Sequence, residues 1–420
     1  MTDTARTPYR ALERPAPTGV SGSYTHGYAP LANTFADSVQ RGEEIGAALT
    51  VYHRGACVVD LWAGHADLAA RTPWTRDTRA LVFSVTKGLA AMALTMLGDR
   101  GALDWDRPVA DLWPAFGAAG KSKITLRTLF NHRAGLPALE APFTLDDFTR
   151  DEMVPRIEEA LAQTAPLWSP GEDQGYHATT YGMYLNAVFQ RLQGESVGRF
   201  LQREVFDPLG ADVSLGTPVE DDARTAALYP PTNASRIANM VGAWVRGNNT
   251  EARLFRDVLR RDSLSRKAFL SPRLGPGGIT DYNRPAVRRA CLPWASATAT
   301  AHGVARAYLP FSQGGDHEGR TYLRGSSLAP VYERQGWSER DRVLHKPLGW
   351  SQGFLKEEPT VFSPTRESFG HAGIGGSLGW CDPVQRLTFG YVMNRLDWRV
   401  RSPRTVALCQ ALYRCEAVRG

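Results

Sequence analysis

Strand-like segments lie near both ends of this 420-residue chain, and they limit its fold more than any other feature. Near the N-terminus, the apolar runs 45–52 and 56–62 flank a short glycine-containing turn, which is typical of a β-hairpin. Near the C-terminus, the runs 374–381 and 387–393 flank a turn at Asp382-Pro383. Helical patterns occupy most of the chain between them, so we predict an antiparallel sheet assembled from both ends of the chain.

Apolar residues at helical spacing predict helices flanking this sheet. The predicted helices cover residues 31–42, 84–100, 125–131, 151–164, 179–193, 197–205, 251–262, 298–313 and 402–414. Loops rich in Pro and Gly separate the helices between 140 and 295, which predicts a mostly helical insertion there. The residues 31–139 and 296–420 then form the sheet domain of an α/β fold of the α+β type, and residues 1–30 form an N-terminal arm.

The composition argues against several classes of protein. The net charge of +6 comes from arginines that are scattered among acidic residues, so we expect a solvated surface and no nucleic-acid partner. The chain has no signal-peptide pattern and no apolar stretch of 18 residues, which predicts a cytoplasmic protein without membrane contact. Five cysteines without metal-site spacing, and the lack of a phosphate loop, predict free thiols, no metal and no cofactor.

A serine and a lysine three residues apart, Ser84 and Lys87, lie at the start of the predicted helix 84–100. This spacing places both side chains on one helix face, and the helix N-terminus favours a developing alkoxide. Burial would lower the pKa of Lys87, so that its amine can act as the base for Ser84. The chain has six lysines against 43 arginines, so a lysine at this position is unexpected from composition alone. An N-cap serine followed by a surface lysine is the alternative interpretation.

Two tyrosines compete as the third group of a catalytic site. Tyr176 lies in a turn before the predicted helix 179–193, where its hydroxyl can face a cleft and pass a proton to a leaving group. Tyr184 matches a Tyr-x-Asn pattern, but it lies on the apolar stripe of that helix, which favours a place in the core. We therefore predict Tyr176 as the third group, and His177 beside it is a candidate cleft residue.

A glycine-rich stretch, Gly370–Ser377, contains a His-x-Gly pair at His371 and Gly373. Glycine allows the backbone to approach a substrate closely, so we expect a main-chain N–H of this stretch to complete an oxyanion hole with the N–H of Ser84. The same stretch matches Gly-x-Ser-x-Gly around Ser377, the pattern of an α/β-hydrolase nucleophile. No histidine follows Ser377 and the pattern leads into a strand, so we reject Ser377 as the nucleophile.

The patterns Ser84-x-x-Lys87, Tyr176-x-Ala178 and His371-x-Gly373 resemble, in order and separation, the three motifs of serine β-lactamases and penicillin-binding proteins. Further stretches are similar to the class C-like branch, which includes family VIII carboxylesterases and related acyltransferases; they cover residues 81–90, 124–137, 170–181 and 369–394. The resemblance extends over about residues 40–415. It implies a β-lactamase/transpeptidase-like fold.

The resemblance also implies a role for each matching residue. Ser84 would be the acylated nucleophile, while Lys87 and Tyr176 would share the general base and acid work. The N–H groups of Ser84 and Ile374 would form the oxyanion hole. His371 and Gly373 would belong to the substrate-binding edge of the site.

Two departures from the family motifs bear on the substrate. His371 stands in place of the lysine of Lys-Thr-Gly, and Ala178 in place of the asparagine of Tyr-x-Asn. A site without that cation and that amide should bind penicillins and peptidyl-D-alanine poorly. We predict a carboxylesterase acting on a small or medium ester, with weak or absent β-lactamase activity. An acyltransferase, an amide or peptide hydrolase, and a non-catalytic ligand-binding protein on the same scaffold are the alternatives, and the oligomeric state stays open.

Aromatic residues in loops supply candidates for the rest of the site. Trp168, Tyr282 and Trp294 are candidate walls of an acyl pocket, and Trp294 is taken as the substrate-binding residue, although such side chains more often pack in a core. His132 is expected to order a loop behind the nucleophile helix.

Overall fold

The computed structural model describes residues 14–231, 250–399 and 401–419. Residues 1–13 of the predicted N-terminal arm lie outside the described residues. The rest of the arm includes the strand Ser21–Tyr24, which pairs with the first hairpin and extends the sheet. The division of the chain into a sheet domain and a helical insertion stays a prediction.

A large antiparallel sheet dominates the structure. In spatial order it contains β1 (Arg14–Pro15), β2 (Ser21–Tyr24), β4 (Ala56–Asp67), β3 (Gly46–His53), β16 (Leu387–Met393), β15 (Leu378–Asp382), β14 (Phe369–Ala372), β13 (Phe354–Lys356), β12 (Leu348–Ser351) and β11 (Gly336–Ser338), while β5 (Thr72–Pro73) pairs with β4. Strand β3 from the N-terminal part lies beside β16 from the C-terminal part, with Val51 opposite Phe389. The predicted sheet built from both ends of the chain is therefore confirmed.

The predicted strand 374–381 is wrong in its first half. Ile374–Gly376 forms a turn between β14 and β15, and β15 begins at Leu378. Gly375 and Gly376 have φ angles of +89° and +122°, which lie far from strand geometry and which glycine adopts readily. The glycine-rich stretch is thus the turn of a hairpin at the edge of the candidate site.

Helices cover the sheet and fill the space beside it. The α-helices of the described residues are α1 (Ala29–Gln40), α2 (Val85–Asp99), α3 (Leu126–Phe130), α4 (Val154–Gln163), α5 (Thr180–Gln193), α6 (Val197–Leu201), α7 (Asp207–Leu209), α8 (Thr250–Leu259), α9 (Leu264–Phe269), α10 (Pro285–Arg289), α11 (Ala301–Ala307), α12 (Leu309–Ser312), α13 (Gly325–Tyr332), α14 (Pro403–Leu412) and α15 (Glu416–Arg419). None of them combines the length and apolarity that crossing a membrane requires.

The two faces of the sheet carry different helices. Neighbouring residues of a strand point to opposite faces, and Gly390 and Tyr391 of β16 illustrate both. A Cβ at Gly390 would lie 2.2 Å from the carbonyl oxygen of Ala301, so α11 packs directly on that face. On the other face, Tyr391 donates to Glu44, which also binds Arg404 of α14 at 2.6 Å. The central sheet is therefore covered on both sides.

A small second sheet connects the start of α2 to the segment that follows α10. Its strands are β6 (Ala80–Leu81), β8 (Thr298–Ala299) and β7 (Val213–Ser214), with β8 in the middle. Pairing of β6 with β8 brings residues 82–87 beside residues 294–297, and the Ala297 N–H donates to Thr86 Oγ1 at 3.1 Å. This contact determines the surroundings of Ser84 and Lys87.

Candidate active site

Ser84 lies at the N-terminal cap of α2, directly after a strained residue. Phe83 has a φ angle of +47°, a left-handed conformation that costs a non-glycine residue about 1–3 kcal/mol. Two contacts hold the segment in place: the Val82 N–H donates to the Ala297 carbonyl at 3.0 Å, and the Val82 carbonyl accepts from Ser377 Oγ at 2.9 Å. The Ser84 hydroxyl is thereby fixed at a helix N-terminus, where the partial positive charge favours an alkoxide.

Lys87 is fully buried one helical turn after Ser84. Its Nζ lies 3.1 Å from Ser84 Oγ and 3.0 Å from the Trp294 carbonyl oxygen, to which it donates. Burial lowers the pKa of Lys87 well below its usual value. No carboxylate of the described residues is paired with Lys87 to oppose this effect. The neutral amine therefore has a lone pair available at hydrogen-bond distance from the Ser84 hydroxyl, which is what a general base requires.

Tyr176 completes the contacts of Ser84 Oγ. Its hydroxyl donates to Ser84 Oγ at 2.9 Å, and Lys87 Nζ lies 5.1 Å from the centre of its ring. The ring stacks on Trp350 at 5.7 Å with an interplanar angle of 4°, which fixes its plane. Burial, with a smaller contribution from the Asp341 carboxylate, raises the pKa of Tyr176, so the phenol stays protonated. Tyr176 is accordingly suited to donate a proton, and Lys87 to accept one.

The main-chain N–H groups of Ser84 and Ile374, two residues that line the same cavities, are the candidates for an oxyanion hole. In the described part of the chain, neither the Ser84 N–H nor the Ile374 N–H donates a hydrogen bond. Ile374 lies in the hairpin turn after β14, and 39% of its surface is exposed, which is unusual for a large apolar residue beside a buried serine. Unpaired N–H groups at a helix start and in a glycine turn are the elements from which oxyanion holes are built.

His371 faces the site from β14 as a neutral imidazole. Its Nδ1 lies 2.8 Å from the Ala372 carbonyl oxygen, which only accepts, so Nδ1 carries the proton and Nε2 is an acceptor. Burial, with a smaller effect of Lys87, lowers the pKa of His371 well below its usual value. Within the described residues Nε2 has no partner. His371 thus offers the site a hydrogen-bond acceptor and no positive charge.

Gly373 allows the turn after β14 to touch the nucleophile segment, and Gly373→Ala is expected to displace that segment. A Cβ there would lie 2.1 Å from Ser377 Oγ and 2.3 Å from the Val82 carbonyl oxygen. Because Val82 cannot yield without moving Ser84, we expect a loss of about 1–3 kcal/mol in stability and slower labelling of Ser84 by a fluorophosphonate. Thermal melting and mass spectrometry measure the two effects. Gly325→Ala is the control, since a Cβ there meets nothing within 4 Å; equal results for both variants would refute the close contact.

His177 does not line the site, contrary to the sequence-based prediction. It is fully buried, its Nδ1 lies 2.6 Å from the Gly175 carbonyl oxygen, and its Nε2 accepts from the Leu136 N–H at 3.1 Å. Burial lowers its pKa to about 4, so it is neutral. Both ring nitrogens serve the backbone, and His177 orders the loop behind Tyr176. His132 is also buried in that loop, where its Nδ1 accepts from the His177 N–H at 2.9 Å.

Trp294 contributes its main-chain carbonyl to the site and also lines the space beside Ser84. Its carbonyl binds Lys87, while its indole N–H donates to the Tyr282 hydroxyl at 3.1 Å. The Trp168 indole donates to the Asp173 carbonyl at 3.0 Å and lines neither of the cavities beside Ser84. Tyr184 lies in the core, as predicted, and donates to the Leu161 carbonyl at 3.1 Å.

Two cavities meet at Ser84 and Ile374. The larger cavity, of about 500 Å³, is lined by Ala178, Phe269, Leu270, Tyr282 and Trp294, among others. The smaller cavity, of about 300 Å³, is lined by Tyr176, Leu254, Leu348, Trp350, His371 and Gly373, among others. Ser84 therefore lies at the junction of two largely apolar spaces, and Tyr176 faces only the smaller one.

Comparison with known proteins gives matches over nearly the whole chain. The Beta-lactamase family model matches residues 31–411. The esterase/beta-lactamase LipL of Mycobacterium tuberculosis is 32% identical over 380 residues, which cover 90% of this chain and 83% of LipL. The crystal structure of a family VIII carboxylesterase has a TM-score of 0.81 at 31% identity, over 94% of this chain and 99% of the other. A penicillin-binding protein homologue from Caulobacter crescentus has a TM-score of 0.81 at 31% identity, over 95% and 100% of the two chains.

Proposed function

The chain belongs to the Beta-lactamase family, and on that premise we propose that it is a carboxylesterase that forms an acyl-enzyme on Ser84. Its fold is that of the serine hydrolases of this family, and its relatives include esterases. One observation carries the proposal: Lys87 Nζ and the Tyr176 hydroxyl both lie within 3.1 Å of Ser84 Oγ. A nucleophile in contact with a neutral amine and a protonated phenol has its base and its acid in place.

Acylation follows from these contacts. Lys87 takes the proton of Ser84 Oγ, which attacks the ester carbonyl, while the N–H groups of Ser84 and Ile374 bind the developing oxyanion. Tyr176 gives its proton to the departing alkoxide and regains one from Lys87, so the alcohol leaves neutral and both groups return to their initial state. Water then attacks the acyl-enzyme and yields its proton to Lys87, and Ser84 regains one as the acid leaves.

The two cavities indicate how an ester lies in the site. The leaving oxygen must be near Tyr176, which lines the smaller cavity, so the alcohol part occupies that cavity and the acyl part occupies the larger one. Both are largely apolar, which supports a small or medium ester without charge. Lys346 and Arg399 line the smaller cavity, but Lys346 Nζ is bound to Glu357 at 2.9 Å and Arg399 is paired with Asp397 at 3.3 Å.

Acyl transfer to an alcohol is the second candidate function. The smaller cavity stays apolar after the first alcohol leaves, which favours entry of another alcohol beside Tyr176. Hydrolysis in the presence of a primary alcohol separates the two functions, because transfer yields a new ester and hydrolysis yields only the acid.

A direct comparison of substrates tests the ester preference. We expect p-nitrophenyl butyrate to be hydrolysed with a kcat/KM at least about 100-fold higher than a chromogenic cephalosporin, because the cations of the described residues at the smaller cavity are already paired with carboxylates. The methyl ester of the same cephalosporin is the matched control. It should react faster than the free acid if the carboxylate is what the site rejects, and a cephalosporin that reacts as fast as the ester would contradict the proposal.

A further inference from the structure

We propose that Asp341 is a positioning residue for Tyr176: its buried carboxylate anchors the main chain of Tyr176 so that the hydroxyl can protonate the leaving alcohol. The inference rests on the proposed function, since it concerns the proton that Tyr176 delivers during acylation. Asp341 lines neither cavity, and it acts on the site through the residues that it binds, Tyr176 and Leu344.

The Asp341 carboxylate joins two segments that are far apart in the sequence. Its Oδ1 accepts the N–H of Tyr176 at 3.1 Å and the N–H groups of Val343 and Leu344 at 2.9 Å each. Its Oδ2 accepts from Gln174 Nε2 at 3.3 Å. The segment that bears Tyr176 is thereby tied to the loop whose Leu344 lines the smaller cavity. The Asp341 carboxylate therefore fixes the position of Tyr176 relative to Leu344 and the cavity that the alcohol occupies.

Burying the Asp341 carboxylate costs free energy of folding, which indicates a role beyond stability. Asp341 is completely buried, and burial raises its pKa. It forms no ion pair with an Arg, Lys or His side chain of the described residues. A buried carboxylate without a counter-ion is expensive, and here main-chain N–H groups are its principal partners. Such a group holds a backbone segment in one place, because every bond that it accepts must be kept.

Tyr176 depends on this anchor because ring packing fixes the plane of the ring but not the distance of its hydroxyl from Ser84. Trp350 stacks on one face, and the rings of His132 and His371 lie 5.2 Å and 6.0 Å from it. Burial lowers the pKa of each of the two histidines and of Lys87, so the titratable groups around the ring are neutral. The Asp341 carboxylate adds a smaller contribution to the raised pKa of Tyr176, after burial.

Two esters of one acid isolate the contribution of Tyr176. The butyrate acyl group is common to ethyl butyrate and p-nitrophenyl butyrate, but only the ethoxide needs a proton to leave. Tyr176→Phe provides the reference, with a loss on the order of 10²-fold for the ethyl ester and much less for the nitrophenyl ester. We expect Asp341→Ala to reproduce this selectivity, with a kcat/KM loss at least about tenfold larger for the ethyl ester.

Asp341→Asn should keep both activities within about threefold of the wild type. Asparagine Oδ1 can still accept the three N–H groups that Asp341 Oδ1 accepts, and these include the N–H that anchors Tyr176. If Asp341→Ala fails to fold by circular dichroism, Gln174→Leu takes its place, because it removes the donor to Oδ2 and should show the same selectivity in weaker form.

Asp382→Ala is the matched control for the loss of a buried carboxylate. Asp382 accepts from Ser363, Thr365 and Tyr413 at 2.7–2.8 Å, away from Ser84, and we expect its removal to lower stability without any selectivity between the esters. Equal losses on the two esters in Asp341→Ala, or no loss, would overturn the proposal. The proposed function fails separately, if mass spectrometry detects no acyl group on Ser84 of the wild-type protein.

Discussion

Ser84→Ala is expected to abolish ester hydrolysis, with a fall in kcat/KM of at least about 10⁴-fold toward p-nitrophenyl butyrate. Ser84 Oγ is the hydroxyl that lies within 3.1 Å of both possible proton carriers, Lys87 Nζ and Tyr176. Alanine removes the attacking oxygen, so Lys87 has no serine proton to accept and no acyl-enzyme can form. The same variant should take up no fluorophosphonate, which mass spectrometry of the intact protein measures independently of turnover.

Ser377→Ala is the control, because Ser377 occupies the competing Gly-x-Ser-x-Gly pattern. Ser377 is 1% exposed and lines neither cavity beside Ser84, and its hydroxyl supports the nucleophile segment by donating to the Val82 carbonyl. Loss of this hydrogen bond should cost about 1 kcal/mol of stability and leave hydrolysis within about tenfold of the wild type. Full activity in Ser84→Ala, or acyl labelling that Ser377→Ala alone removes, would move the nucleophile to Ser377.

The sheet is predictable from sequence where its strands are long. β3, β4 and β16 each have at least seven residues, so their apolar runs stand out from the surrounding loops. β11 and β13 have three residues each, which is too short for a strand pattern to differ from a loop. These strands exist because β12 and β14 pair with them, and that pairing has no local signal.

In the site, the side chains that carry chemistry are predictable from sequence, whereas main-chain contacts and distant partners are not. Ser84, Lys87 and Tyr176 are identifiable because their chemistry lies in side chains at characteristic positions. The Trp294 carbonyl that binds Lys87 is a main-chain atom, and any residue could supply it. Asp341 lies 165 residues after Tyr176 between two arginines, so its sequence context is that of a solvated charge. Burial of Asp341 follows from the pairing of two distant loops, which local patterns do not encode.

The wrong prediction for His177 has a simple geometric cause. His177 is next to Tyr176 in the sequence, and this adjacency predicts a shared environment. Consecutive side chains of an extended segment diverge, so the Tyr176 ring enters the site while the His177 ring points back to Leu136 and Gly175.

Lys87→Arg is expected to lower kcat/KM by about 10³- to 10⁴-fold, nearly as much as the loss of Ser84. The guanidinium keeps its proton at every accessible pH and has no lone pair to accept that of Ser84. Its positive charge would also stay buried where no carboxylate of the described residues is paired with Lys87. Lys87→Met is the matched variant, because it removes the amine without adding charge or branching. Both variants should be inactive and Lys87→Met should fold, which p-nitrophenyl butyrate hydrolysis and circular dichroism measure.

The pH profile of the wild type tests the same base without a mutation. The active form of Lys87 is the neutral amine, so kcat/KM should rise with pH as the ammonium loses its proton and then reach a plateau. Burial lowers the pKa of Lys87, which places this rise well below the value of about 10.4 that an exposed lysine would give. Tyr176, whose pKa burial raises, keeps its proton across the plateau. A rise centred near pH 10 would mean that Lys87 is solvated and ordinarily charged, and the general base would then have to be a different group.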